Sequence, residues 1–248
     1  MTIPEKKLKI PRRKGGDLIS ILYETSKETT KKPPLVIFCH GFTGDKYEWG
    51  RFPKAAKRMN EKGYDAIIFD FSGSGENKRE AVLLSKQVRD LEDVYNWAKE
   101  RHYIDFAIIG LSFGGLTALI ANLPVHTVIF WAPAFYLEQL TDDSRFNYFP
   151  FKLPSASPPE IFIEEDFIHE LKQISTDEHL QKLNTPSLIV HGELDKAVIP
   201  ELSRRAHDQM PSQVNHKLHF VKKADHLFNN KQLEEFIEEG IKWLQEYL

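Results

Sequence analysis

FAIIGLSFG, at residues 106–114, is the stretch that decides the fold. Its first four residues form a short continuous apolar run, which is typical of a strand buried on both faces. The following residues, 115–121, are small and compatible with a helix. Ser112 is therefore predicted to lie on a sharp turn between a strand and a helix. Gly110 and Gly114 fit this turn, because side chains there would clash with neighbouring chain that the turn brings close.

Strands and helices alternate on both sides of this stretch. Residues 6–11 and 18–23 surround Lys14-Gly15-Gly16-Asp17 and predict an opening antiparallel hairpin. The predicted strands are 35–39, 64–69, 106–109, 127–131, 187–190 and 217–221, and the predicted helices are 52–62, 85–100, 115–121, 201–209 and 232–247. Strands that alternate with helices imply an α/β fold with a mostly parallel central sheet covered on both sides.

The alternation breaks between residues 134 and 184, a segment far longer than a minimal crossover between parallel strands needs. We predict that residues 134–184 form a small cap inserted into a core made of residues 1–133 and 185–248. The segment is rich in aromatic residues, namely Phe135, Tyr136, Phe146, Tyr148, Phe149, Phe151, Phe162 and Phe167. These rings could line a binding site, or they could form a satellite core that holds the insertion together.

Composition restricts the partners of the chain. The 248 residues are 41% hydrophobic and 28% charged, as in a soluble globular protein, and the net charge of −3 offers no basic field for nucleic acid. The single cysteine, Cys39, rules out an internal disulfide and cannot by itself make a metal site. The start of the chain lacks a signal-peptide pattern, and no apolar run reaches the length of a membrane span. We therefore expect a cytoplasmic monomer or homodimer with no nucleic-acid or membrane partner.

Three residues with complementary chemistry follow the carboxyl ends of predicted strands: Ser112, Asp195 and His226. Ligands of parallel α/β sheets bind beyond that edge, so the three loops could meet at one site. A serine hydroxyl is a weak nucleophile until a positioned imidazole takes its proton. The imidazole needs a carboxylate that fixes its tautomer and stabilises its cation. The order Ser, Asp, His along the chain is the one expected of hydrolases with a G-x-S-x-G turn.

Other residues compete for these roles. The chain has ten histidines, and His40 and His191 also end predicted strands. Each of these two is followed by glycine and precedes another loop of the site, so a structural hydrogen bond is the expected role. His226 is therefore the predicted base on its position. Glu193 is the rival of Asp195, and we favour Asp195 because His-Gly-x-x-Asp is the usual strand-end spacing.

Attack on a carbonyl also develops an oxyanion, which needs hydrogen-bond donors that are already in place. The backbone N–H of Phe113, directly after the serine, is the first predicted donor. The loop His40-Gly41-Phe42 can supply the second through the N–H of Phe42. Three side chains and two amides complete this chemistry, so we expect no metal and no cofactor.

With these residues the chain resembles the α/β-hydrolase superfamily over nearly its whole length. The matching motifs are HGF at 40–42, GLSFG at 110–114, HGELD at 191–195 and DHLF at 225–228. Within the superfamily it is similar to the bacterial cinnamoyl and feruloyl esterases, because HGFTG at 40–44 and an insertion of this size fit that group. The resemblance implies a carboxylic ester hydrolase whose insertion helps to bind the acyl or alcohol part of the substrate.

These observations favour a serine esterase that acts through an acyl-enzyme on small-molecule substrates, either small esters or esters of aromatic acids. An acylaminoacyl or dipeptidyl-type peptidase, a monoacylglycerol lipase and a thioesterase are alternatives that share the motifs. A hydrolase-fold binding protein without turnover is the alternative from a different class.

Overall fold

The computed structural model describes residues 5–27, 31–140, 151–154, 160–229 and 231–248. Eight strands of these residues form one sheet, and two further strands pair with each other. The strands in chain order are β1 (Glu5–Pro11), β2 (Asp17–Tyr23), β3 (Leu35–Cys39), β4 (Asp65–Phe69), β5 (Phe106–Leu111), β6 (Thr127–Trp131), β7 (Phe151–Pro154), β8 (Glu160–Ile163), β9 (Ser187–Gly192) and β10 (His216–Val221).

The large sheet has the order β1-β2-β4-β3-β5-β6-β9-β10. β1 pairs antiparallel with β2, as the sequence predicts, and β2 pairs antiparallel with β4. The other neighbours are parallel, with Leu35 of β3 opposite Phe106 of β5 and Cys39 opposite Gly110. The carboxyl ends of six strands therefore lie along one edge of the sheet. The α/β fold with a mostly parallel sheet is confirmed.

Helices cover both faces of this sheet. They are α1 (Arg51–Asn60), α2 (Leu84–Lys99), α3 (Phe113–Ala121), α4 (Glu165–Lys172), α5 (Thr176–Gln181), α6 (Pro200–Gln209) and α7 (Lys231–Tyr247). Side chains of α1 and α7 share one buried cluster with strand residues such as Phe38 and Ile109. Side chains of α2 and α3 share a second cluster with the alternate strand residues, such as Ile37 and Ile108. The five residues of β3 and the six of β5 are all buried, because successive side chains on a strand point to opposite covered faces.

An aromatic group fixes the loop that follows β10. The ring of Phe228 stacks on Phe236 of α7, with 4.0 Å between the ring centroids. Trp131, at the end of β6, packs edge-on against both rings. These three side chains are fully buried. The backbone of residue 226, two positions before Phe228, is therefore held close to the carboxyl ends of the central strands.

The described parts of residues 134–184 include regular structure that pairs within the segment. β7 and β8 form a two-stranded antiparallel hairpin, and α4 and α5 follow it. The N–H of Val82 donates to the carbonyl of Phe162 at 3.1 Å, which ties β8 to the segment before α2. Phe135, Tyr136 and Phe167 are buried. Of the other aromatic residues of this segment, Phe146, Tyr148 and Phe149 and the side chain of Phe151 lie outside the described residues.

The turn at the centre of the chain is tighter than the sequence predicts. β5 continues two residues past the predicted end at Ile109, and α3 begins at Phe113 rather than at Gly115. Only Ser112 lies between strand and helix. In the part of the chain that the structure describes, no helix combines the length and the apolar character needed to cross a membrane.

Candidate active site

Ser112 adopts a backbone conformation that non-glycine residues rarely take, with φ 52° and ψ −116°. Its N–H donates to the carbonyl of Trp131 at 2.9 Å, and its own carbonyl accepts from the N–H groups of Gly115 and Ala134, both at 3.0 Å. These bonds to β6 and to the start of α3 hold the strained residue in place. The side chain is half-buried and points to the edge where the parallel strands end.

The flanking glycines are required by close backbone contacts, as predicted. A Cβ atom at Gly114 would lie 2.2 Å from the carbonyl oxygen of Cys39 and 2.6 Å from that of His40. A Cβ at Gly110 would lie 2.6 Å from the carbonyl oxygen of Gly114. Real Cβ atoms do not approach backbone this closely, so glycine lets the turn pack directly against the end of β3.

The three predicted side chains meet at the carboxyl edge of the sheet. His226 Nε2 lies 3.2 Å from Ser112 Oγ, and His226 Nδ1 lies 2.7 Å from Asp195 Oδ2. Ser112 follows β5, Asp195 follows β9 and His226 follows β10, so the parallel register brings together residues that are 114 and 31 positions apart.

The contacts of His226 select one tautomer of its ring. An ionised carboxylate can only accept hydrogen bonds, so Nδ1 carries the proton that is donated to Asp195. In the neutral ring Nε2 then carries no proton, and its lone pair faces the hydroxyl of Ser112. The arrangement can move a proton from the serine oxygen to the ring while the carboxylate stabilises the resulting cation.

Asp195 is buried and accepts three hydrogen bonds. Its Oδ1 accepts from the N–H groups of Ala197 and Val198 at 2.9 and 2.8 Å. Its Oδ2 accepts from His226 and lies 3.2 Å from His191 Nε2. Burial acts to raise the pKa of Asp195, but the close imidazoles of His191 and His226 outweigh burial and hold this pKa well below its usual range. The carboxylate therefore stays ionised at neutral pH.

The residues that compete for the roles of acid and base form no hydrogen bond with Ser112 or His226 among the described residues. Glu193 is exposed to solvent. The His40 ring is buried, with Nδ1 donating to the carbonyl of Gly41 at 2.8 Å and Nε2 accepting from the N–H of Phe71 at 3.1 Å. His191 bonds to Ser203 Oγ through Nδ1 at 2.7 Å. The predicted structural hydrogen bonds of His40 and His191 are confirmed.

The loop with the predicted second amide lies directly beside Ser112. A Cβ at Gly41 would lie 3.3 Å from the Cβ of Ser112. Within the described part of the chain, neither the N–H of Phe42 nor the N–H of Phe113 donates to a protein acceptor. The Phe42 ring stacks on Phe167 of α4 at 5.4 Å and packs edge-on against Phe113 at 5.6 Å. Phe167 also packs edge-on against Phe113 at 5.8 Å, so α4 contacts both residues whose amides are the predicted donors.

Ion pairs of four buried charged residues, Lys46, Asp70, Glu48 and Arg51, and the exposed Glu76 hold this loop, and nothing in the sequence singles them out. Lys46 Nζ donates to Asp70 Oδ2 and Glu76 Oε1, each at 2.6 Å. The carboxylate of Glu48 accepts from the N–H of Gly41 and from the guanidinium of Arg51. Charged residues in a loop that follows a strand are normally solvated. Here their burial depends on how the loop folds back, which the sequence does not show.

The chain matches a family model described as alpha/beta hydrolase fold over residues 34–150. It is 34% identical over 113 residues to an Escherichia coli protein described as an uncharacterized 31.7 kDa protein in the traX–finO intergenic region. This match covers 44% of the present chain and spans only 38% of the length of that relative.

Solved structures match nearly the whole chain. Est1E from Butyrivibrio proteoclasticus, in a structure with bound ferulic acid, superposes with a TM-score of 0.84 at 24% identity, covering 97% of this chain and 98% of that one. A monoacylglycerol lipase from Paleococcus ferrophilus superposes with a TM-score of 0.69 at 17% identity, covering 93% and 99%. The sheet topology and these matches together confirm the fold expected from the motifs: the chain has the α/β-hydrolase fold.

Proposed function

We propose that the protein is a serine hydrolase that cleaves carboxylic esters through an acyl-enzyme. The observation that carries this proposal is the continuous hydrogen-bonded row from Asp195 through His226 to Ser112 Oγ. The α/β-hydrolase fold and the esterase and lipase among its structural neighbours support hydrolase activity as the general class.

In the acylation step, Ser112 Oγ bonds to the ester carbonyl carbon while its proton passes to His226 Nε2. The carbonyl oxygen becomes an oxyanion, which accepts from the N–H groups of Phe42 and Phe113. The carbon–oxygen bond to the alcohol then breaks, and the protonated ring gives its proton to the leaving oxygen. Asp195 keeps the ring oriented and stabilises its positive charge in both half-steps.

In the deacylation step, a water molecule takes the position of the alcohol. His226 Nε2 accepts a proton from this water as its oxygen bonds to the acyl carbon. The bond between Ser112 Oγ and that carbon then breaks, Ser112 recovers a proton from the ring, and the carboxylic acid leaves. Each bond that forms is matched by one that breaks, and no further group is needed.

We also propose that residues 134–184 act as a cap that covers the site and binds part of the substrate. The support is the stacking of Phe167 on Phe42, which places α4 beside the loop next to Ser112. The half-buried ring of Phe42, backed by Phe167, favours an aromatic acyl group, as in esters of cinnamic and ferulic acid. Est1E, whose structure holds ferulic acid, has the same fold over nearly the whole chain.

Turnover of p-nitrophenyl acetate and butyrate tests the proposal. Ser112→Ala should lower kcat by about 10⁶-fold, as removal of the nucleophile does in serine hydrolases that share this chemistry. Ser212→Ala, which removes an exposed hydroxyl before β10, is the control and should leave turnover unchanged. A fluorophosphonate probe should label the native protein and not the Ser112→Ala variant. Undiminished turnover by Ser112→Ala would refute the proposal.

A panel of methyl ferulate, monoacylglycerol, acyl-CoA and acetyl-amino-acid anilide tests the substrate class. We expect the highest kcat/KM with methyl ferulate. Phe167→Ala should lower kcat/KM for methyl ferulate more than for p-nitrophenyl acetate, because only the larger acyl group reaches the cap. A preference for monoacylglycerol would replace the aromatic assignment with a lipase.

A further inference from the structure

Glu48 and Arg51 form a buried ion pair beside the loop that follows β3. Their side chains are 2% and 7% exposed, and Arg51 Nη2 donates to Glu48 Oε2 at 2.9 Å. The other carboxylate oxygen, Oε1, accepts from the N–H of Gly41 at 2.6 Å. A Cβ at Gly44 would lie 2.3 Å from this same oxygen, so the loop closes tightly around the carboxylate.

The same arginine contacts the loop that carries the histidine. Arg51 Nη1 donates to the carbonyl of Leu227 at 2.8 Å, and its guanidinium lies 5.1 Å from the centre of the Phe228 ring. Leu227 is the residue next to His226. One planar side chain therefore holds the loop after β3 and the histidine loop, although Arg51 and Leu227 are 176 positions apart in sequence. Arginine suits this role because its donors point in fixed directions within one plane.

We propose that Glu48 and Arg51 are positioning residues that hold the predicted oxyanion amides in register with His226. This inference rests on the proposed function. Glu48 fixes the peptide of Gly41, and the next N–H along the chain is that of Phe42. Arg51 sets the distance from this peptide to the histidine loop. Neither side chain is required to touch the substrate.

Arg51 has a second, electrostatic effect. A buried carboxylate next to the amide loop would repel an oxyanion that forms there, unless a positive charge compensates it. The guanidinium supplies that charge at 2.9 Å. Loss of Arg51 should therefore harm the reaction in two ways, by loosening the loops and by leaving the charge of Glu48 unpaired. Loss of both partners should harm it less than loss of Arg51 alone.

Kinetics of three variants test the inference. Arg51→Met should lower kcat by about 10²-fold with little change in KM, because the affected interaction is made in the transition state. Arg51→Lys, which keeps the charge and loses the planar contacts, should lower kcat by about tenfold. Glu48→Gln combined with Arg51→Met should recover about tenfold over Arg51→Met alone. A native kcat for Arg51→Met would overturn the inference, and so would a double variant that is no faster than Arg51→Met.

A second ion pair, between the half-buried Arg12 and the buried Asp90, provides the control. Arg12 follows β1 in the turn of the opening hairpin. Its Nε lies 3.2 Å from Asp90 Oδ1, and the two side chains are 11% and 2% exposed. Arg12→Met should lower the melting temperature and leave kcat unchanged. This comparison separates loss of stability from loss of positioning.

Amide hydrogen exchange gives a readout that does not depend on turnover. The N–H of Gly41 should be protected in the native protein and exchange at least tenfold faster in Arg51→Met, while Arg12→Met leaves it protected. If Ser112→Ala retained full activity, the proposed function would fail, and exchange at Gly41 would still decide whether the pair holds the loop. Unchanged protection in Arg51→Met would refute that hold.

Discussion

Replacement of Asp195 by asparagine should lower kcat strongly, because it moves one proton of the His226 ring while the shape of the site changes little. Oδ1 of Asp195 accepts from two backbone N–H groups, so the amide oxygen of the asparagine must occupy that side. Its NH2 group then faces His226 Nδ1, at the 2.7 Å position now held by an acceptor. Two donors cannot share that contact, so the ring moves its proton to Nε2.

The altered tautomer points an N–H at Ser112 Oγ, which therefore loses its proton acceptor. We expect kcat to fall by about 10⁴-fold, the loss that follows the same change in other serine hydrolases. This loss corresponds to about 5 kcal/mol in the activation free energy. KM should change much less, because the substrate does not contact Asp195.

The assay is p-nitrophenyl butyrate hydrolysis at a temperature well below the unfolding transition of each variant. Circular dichroism should show native secondary structure for Asp195→Asn, which attributes the loss to chemistry. Glu193→Gln, at the exposed acidic residue two positions earlier, is the matched control and should keep native kcat. A near-native kcat for Asp195→Asn, or a large loss for Glu193→Gln, would refute the reasoning.

Two further predictions concern stability. Gly114→Ala places a methyl group 2.2 Å from a backbone oxygen, so it should lower the free energy of unfolding by about 3 kcal/mol and remove most of the activity. Gly240→Ala in α7 places its methyl group no closer than 3.7 Å to any neighbour, so it should raise the free energy of unfolding by about 1 kcal/mol. Equal free energies of unfolding for the two variants in urea denaturation would contradict this. Burial raises the pKa of Asp90 to about 6, so the folded protein holds a proton there that the unfolded chain releases near pH 4. The contribution of Asp90 to the free energy of unfolding should therefore fall by about 3 kcal/mol as pH rises from about 4 to about 6, and Asp90→Asn should lack this contribution; parallel pH profiles of the two proteins would exclude the raised pKa.

The arrangement of the central strands was predictable because parallel strands leave clear signals. Fully buried strands read as continuous apolar runs, and their carboxyl ends lie on one edge whatever the loop lengths. Ser112, Asp195 and His226 could thus be assigned to one edge from their positions after strands. The bounds of α3 were less accurate, since Phe113 and Gly114 look like turn residues until packing against β3 is known.

The buried pair Glu48–Arg51 could not be predicted, because its burial depends on backbone conformation. Glu48 and Trp49 have φ values of 44° and 52°, which non-glycine side chains rarely adopt. These angles turn the carboxylate inward beneath Gly41. The hairpin of β7 and β8 was also missed, because two four-residue strands that pair only with each other depend on contacts with the core.

The left-handed backbone at Ser112 sets stability against reactivity at a single position. Conformations of this kind cost on the order of 1–3 kcal/mol, and the bonds to β6 and α3 must offset that cost before the hydroxyl can be presented. A glycine at residue 112 would relax the bend and strengthen the fold while discarding the hydroxyl. Variants selected for thermal resistance alone would therefore drift toward losing the one oxygen on which the proposed reaction depends.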